Sequence, residues 1–210
     1  MTERRGEPLT KALAGLLVAG SALLIGASVM HPVLPLTGPG DLALIAATAH
    51  WRTIHITLLY ATGMIIAGIW ARWYVAEEGE RPGLAIGCAV LAIGQALNAV
   101  NIAYMTGAGT EFARLAQGGA DVAAVYEASH RFAVNTGRAG GFLVAIAALI
   151  VALTTQRQAD EPRGLVLLAW LACVGGLAGN LLAQPGHPLM LTSIGLMALW
   201  QLGTGVRIVR

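Results

Sequence analysis

The chain reads as an all-α, polytopic membrane protein with six transmembrane helices arranged as three hairpins. Three observations predict this. Of 210 residues, 56% are hydrophobic and only 11% are charged, where a soluble domain carries about a quarter charged residues. Apolar runs recur at residues 9–30, 54–75, 83–105, 139–154, 165–182 and 188–206. Crossing a hydrocarbon core takes about 20 helical residues; most of these runs reach that length, and the fourth does so if its helix begins near Arg131. Lipid leaves open strands with unpaired backbone groups, so helices are the only element these runs support.

The first run follows a basic stretch and resembles a signal peptide. It is too long for a signal h-region and lacks an A-x-A cleavage site, so it reads as a span. The whole of 1–210 reads as one transmembrane domain, with hairpins over 9–76, 83–155 and 164–207. Short charged segments join the hairpins, at 77–82 and 156–163. Pro82 and Pro162 sit where a following helix can start, because a first-turn proline loses no needed donor.

If the N-terminus is inside, Arg4, Arg5, Lys11, Arg72, Arg81, Arg157, Arg163, Arg207 and Arg210 lie inside. Arg52, Arg114, Arg131 and Arg138 lie outside. This bias puts both termini in the cytoplasm. Arginine and alanine replace lysine throughout, a composition that fits a bacterial plasma (inner) membrane protein. The net charge of +2 and the lack of a basic run beyond Arg4 and Arg5 give no footprint for nucleic acid. The implied partner is the lipid bilayer, with other membrane subunits or further copies of the chain as additional ones.

The first two hairpins look like a tandem repeat with short outer helices. Gly38-Pro-Gly-Asp41-Leu-Ala43, followed by His50, aligns at an 80-residue offset with Gly118-Gly-Ala-Asp121-Val-Ala123 and His130. Only four of eighteen positions are identical. The shared order of glycine turn, aspartate, small apolar helix and histidine carries the comparison. Asp41 and Asp121 read as N-caps of the outer helices. Gly137 with Gly141, and Gly175 with Gly179, are small-residue pairs that let helices approach closely in lipid. Cys88 and Cys173 form no C-x-x-C pattern and read as small buried hydrophobes.

The chemistry gathers at one depth. His31, His50, His55, His130 and His187 all fall at outer ends of predicted spans, and Asn98, Asn101, Arg138, Asn180 and Gln184 share that half. Polar groups in hydrocarbon are costly and line cavities or pair with one another. The pattern predicts haem b or a transition metal (iron, copper or zinc) near the outer face, held by histidines of separate hairpins, with redox or electron transfer as the activity.

His55 and His130 are the preferred ligands. His50 lies five residues from His55, off its helical face. Glu127 and His130 form E-x-x-H on one face, half of a di-iron carboxylate motif, so Glu127 joins His31, His50, His55, His130 and His187 as candidate metal ligands. Zinc, copper and iron all accept imidazole. Arg138, about two turns below His130, would hold a propionate or other anion, or pair with Glu111 or Glu127. Gln95, Asn98 and Asn101 recur every third residue as one polar stripe, which fits interhelical hydrogen bonds or a wet vestibule. In the inner half, Gln201 is the main polar exception.

Two alternatives remain: a small-solute transporter using Asn98, Asn101, Arg138 and Asn180, and a non-catalytic subunit of a larger membrane complex. Trp51, Trp70, Trp73 and Trp200 read as interfacial indoles near helix ends, and Trp170 as packing.

Overall fold

The computed structural model describes residues 7–34, 38–158, 160–183 and 187–210. Arg4, Arg5 and Gln184 lie outside the described residues. The described chain is helical throughout: α1 (Glu7–Met30), α2 (Gly38–Ala47), α3 (Trp51–Gly68), α4 (Ala71–Tyr74), α5 (Arg81–Tyr104), α6 (Thr110–Gln117), α7 (Ala123–Thr155), α8 (Arg163–Leu181) and α9 (Pro188–Val209). A π-helical turn, Met105–Gly109, joins α5 to α6. Six helical stretches are long and apolar enough to cross a membrane, which makes this a multi-pass membrane protein by helix length and composition.

The long helices close a ring. α1 packs on α3, α3 on α5, α5 on α7, α7 on α8, α8 on α9, and α9 returns to α1. Small residues permit the tight crossings. A Cβ on Gly94 of α5 would meet the Gly140 carbonyl of α7 at 2.7 Å, and one on Gly68 would meet Cα of Leu17 at 2.7 Å. Gly175 and Gly179 of α8 lie equally close to Leu196 and Ser193 of α9. Lipid supplies no hydrophobic drive between helices, so such close dispersion contacts hold the ring.

The two halves of the ring differ. One half is filled by a core that includes Leu17, Ile65, Ile69, Leu84, Leu91, Ala148, Ala172 and Trp200, and it takes in Cys88 and Cys173. Trp170 packs against this core as read from the sequence. The other half, at the histidine end, is hollow. A smaller core of Leu42, Ile45, Trp51, Met105, Ala113 and Tyr126 caps that end. It is built from α2, α6, the π turn and the first turns of α3 and α7.

The two outer segments differ in build. α2 precedes α3 across a short turn, whereas α6 runs on from α5 through the π turn and α7 starts directly at Ala123. Neither aspartate is an N-cap. Asp41 sits inside the first turn of α2 and is buried, and α7 follows Val122 with no side-chain cap bond, leaving Asp121 exposed.

At the opposite end a buried ion-pair cluster ties three elements. Glu161, just before α8, receives Arg72 of α4 at 2.5 Å and Arg207 of α9 at 2.7 Å. The Arg72 and Glu161 side chains are 4% and 3% exposed. Arg207 also reaches Asp160 at 3.1 Å.

Candidate functional site

The hollow half holds a partly open cavity of about 280 Å³ lined by residues from all six long helices. On α7 the lining runs from His130 to Val144. Fourteen residues at 1.5 Å each make it about 21 Å long, so the cavity is an elongated slot along the bundle axis. Its walls are mainly aliphatic, with Leu24, Leu58, Val134, Ile194 and Met197 among them.

Three of the five histidines reach this slot: His31, His55 and His130. His55 Nδ1 lies 2.9 Å from the Trp51 carbonyl. A carbonyl only accepts, so Nδ1 carries a proton, and in the neutral ring Nε2 is the bare nitrogen. His31 stands 3.1 Å away, Nε2 to Nε2, and donates into that lone pair. The Trp51 indole lies tilted against both rings, 4.1 Å from the His55 ring and 5.2 Å from the His31 ring, centroid to centroid. It is buried and donates Nε1–H to the Met105 carbonyl at 3.2 Å. The π turn presents that carbonyl, in keeping with the association of π turns with functional sites. Trp51 is therefore an orienting part of the site and not an interfacial indole. Burial pushes the His31 imidazole below its ordinary pKa, because a low-dielectric site disfavours the charged form.

His130 forms the second cluster. Its Nδ1–H donates to Asp41 Oδ2 at 3.3 Å. The Tyr126 hydroxyl donates to the same oxygen at 3.5 Å. The ring lies beside Tyr126 (5.0 Å between centroids) and parallel to Tyr104 (6.3 Å). Nε2 of His130 is left without a protein partner among the described residues.

The remaining expected ligands lie elsewhere. His50 is exposed. His187 is exposed and caps α9, its Nδ1 accepting from the Leu189 N–H at 3.1 Å. Glu127 is held by Arg131 on the outside of α7. Among the described residues no group of three or more histidine, cysteine or carboxylate side chains stands close enough to hold a metal ion.

Arg138 pairs with neither glutamate. Glu111 is taken by Arg114 at 2.5 Å and Glu127 by Arg131. The Arg138 guanidinium instead donates from Nε (3.0 Å) and a terminal nitrogen (2.8 Å) to the Asn180 carbonyl. That carbonyl belongs to the last turn of α8, whose final four carbonyls have no partner within the helix. No carboxylate among the described residues lies within ion-pair distance of Arg138.

The polar stripe of α5 turns toward the slot. Gln95, Asn98 and Asn101 all line it, and Asn98 leans on Gln95 at 3.5 Å. Asn101 packs over Gly137 and Asn180 over Gly141, so those glycines make room for amides. Asn180 Nδ2 donates to the Gly176 carbonyl at 2.8 Å. Among the described residues, two amides have buried atoms without a partner: Asn101 at its Oδ1, and Gln201 at both Oε1 and Nε2.

Comparison with known proteins finds no matching family model, no matching curated protein and no matching solved structure.

Proposed function

We propose that the slot binds a small, mostly aliphatic molecule with an anionic head, and that Arg138 anchors the head. The observation that carries this is an oriented but unneutralised guanidinium in a membrane cavity. The Asn180 carbonyl aligns Arg138 but carries no net charge. Arg138 is part-buried, and a cation at membrane depth is costly unless an anion or water meets it. The unpaired Oδ1 of Asn101 and the second ring nitrogen of His130 lie along the same cavity; both can accept a hydrogen bond from a protonated head, and the imidazole alone can take up its proton. The aliphatic walls suit the rest of such a molecule. In this reading the histidine end faces outward from a bacterial inner membrane and both termini are cytoplasmic, by the arginine and lysine balance.

The test is calorimetric titration of the protein, in nanodiscs of neutral lipid, with octanoate and with octanol. Hydrogen bonds to charged groups contribute about 1.5–3 kcal/mol, a factor of roughly ten to a hundred in affinity. Octanoate therefore binds at least tenfold more tightly than octanol, and Arg138→Gln removes that margin. Equal octanoate affinity in wild type and Arg138→Gln would overturn the assignment.

A second reading keeps a redox role with a metal or haem b. One observation favours it: two nitrogens bound to one tetrahedral metal at 2.0–2.1 Å stand roughly 3.3 Å apart, close to the 3.1 Å between His31 and His55. The Nδ1 bonds of His55 and His130, to a carbonyl and a carboxylate, are of the kind that orient metal-bound imidazoles. If haem were held, His55 and His130 would be the residues to bind its iron, since both line the slot from separate hairpins. Optical spectroscopy with metal analysis of purified protein decides: a Soret band selects haem, a stoichiometric metal without one selects a non-haem centre, and neither removes this reading.

A further inference from the structure

We infer that the slot carries a second polar subsite at its deep end, built on Gln201, and that its occupant bears a hydroxyl or similar group about 11 Å from its anionic head. This rests on the reading of Arg138 above. Gln201 is fully buried, lines the slot, and has no partner among the described residues for either Oε1 or Nε2. An amide buried without partners is destabilising, and native proteins rarely leave both ends of one unpaired. Hydration from the opposite end is blocked by the filled core around Trp200 and Leu84.

The depth follows from helix contacts. Asn180, whose carbonyl holds Arg138, packs on Gly141 of α7. One turn further along α8, Gly176 lies against Ala145 of α7 and Met197 of α9. Gln201 is one more turn along α9. Two turns at 5.4 Å give about 11 Å between the anchor and Gln201.

The stretch between is apolar, with Val144 and Met197 on the walls. Two other polar side chains that line the slot are bonded elsewhere. The Thr62 hydroxyl donates back to the Leu58 carbonyl at 2.8 Å, and Gln95 accepts from Asn98. An amide that can both donate and accept matches a hydroxyl, which also does both. The occupant is thus an extended ω-hydroxy acid or a molecule of that polarity pattern, acid at Arg138 and hydroxyl at Gln201.

The experiment compares octanoate, 8-hydroxyoctanoate and 5-hydroxypentanoate on the full chain in nanodiscs. The wild type should favour 8-hydroxyoctanoate over octanoate by about tenfold, since an apolar partner leaves the buried amide unpaired. The shorter hydroxy acid cannot reach and gains nothing. Gln201→Met keeps the shape and should erase the preference while octanoate still binds. No preference in the wild type, or an unchanged preference in Gln201→Met, overturns the subsite and means that Gln201 is met by water alone. Octanoate binding that depends on Arg138 but ignores the hydroxyl leaves the anchor standing and refutes only the subsite. Failure of the wild type to bind either eight-carbon acid refutes both. The wild-type chain-length comparison decides the matter even if Gln201→Met does not fold.

Discussion

Replacing Gly141 by alanine tests how the anchor is built. The new methyl group would stand 2.7 Å from both Cγ and Nδ2 of Asn180, closer than methyl contacts in proteins come. Asn180 is short, buried and tied by Nδ2 to the Gly176 carbonyl at 2.8 Å, so it has little room to turn aside. Either that hydrogen bond breaks, a loss of about 1 kcal/mol, or α7 and α8 separate, an overpacking cost of about 1–3 kcal/mol. Alanine's helix preference over glycine returns roughly 0.5–1 kcal/mol. The expected net destabilisation is therefore about 0–2.5 kcal/mol. Gly195 of α9 is the control: a Cβ there meets nothing within 4 Å, so Gly195→Ala keeps only the helix term and stabilises by about 0.5–1 kcal/mol. Denaturant unfolding in mixed micelles measures both, and octanoate affinity should fall severalfold in Gly141→Ala because the carbonyl holding Arg138 moves. A Gly141→Ala protein as stable as Gly195→Ala would refute the reasoning.

Three further outcomes are expected. Glu161→Gln leaves Arg72 buried without its charge partner and should destabilise by about 3 kcal/mol; a loss below 1 kcal/mol in the same unfolding assay contradicts a sealed ion-pair cluster. Trp51→Phe strips the Met105 carbonyl of its indole donor, costing about 1–2 kcal/mol, and should speed hydrogen exchange in the π turn over Met105–Gly109; unchanged exchange there would contradict the link. Because burial lowers the His31 pKa from 6.5, stability should be flat above pH 6.5 and fall as pH drops through that value toward the folded pKa, since the unfolded chain then binds the proton more readily. His31→Asn should show a shallower fall below pH 6.5, and equal slopes would place the proton elsewhere.

The spans were readable because about twenty apolar residues in a row admit one solution in lipid. The depth of Arg138 was readable for the same reason, but its partner was not: the Asn180 carbonyl is a backbone group with no side-chain signature. Shared depth drew His50, His187 and Glu127 into one expected cluster, and helix face then separated them. Glu127 shares a face with His130 by spacing, yet Arg131, one turn on, holds its carboxylate. Asp41 looked like a cap because an aspartate before a small apolar helix is how caps are written. Its partner, His130, lies far along the chain, and only the fold brings α2 against α7. Trp51 misled similarly, since a helix-end indole reads as interfacial until a capping core covers it. Gln201 stood out in the sequence as a lone deep polar residue, but its unpaired amide is visible only once the surrounding core is filled.

An experimental density map of the protein in nanodiscs with saturating octanoate tests the central claim most directly. The account predicts density against the Arg138 guanidinium, continuing as a chain between α7 and α9 toward Gln201. A slot holding only ordered water, with octanoate confined to the lipid-facing surface, would contradict it.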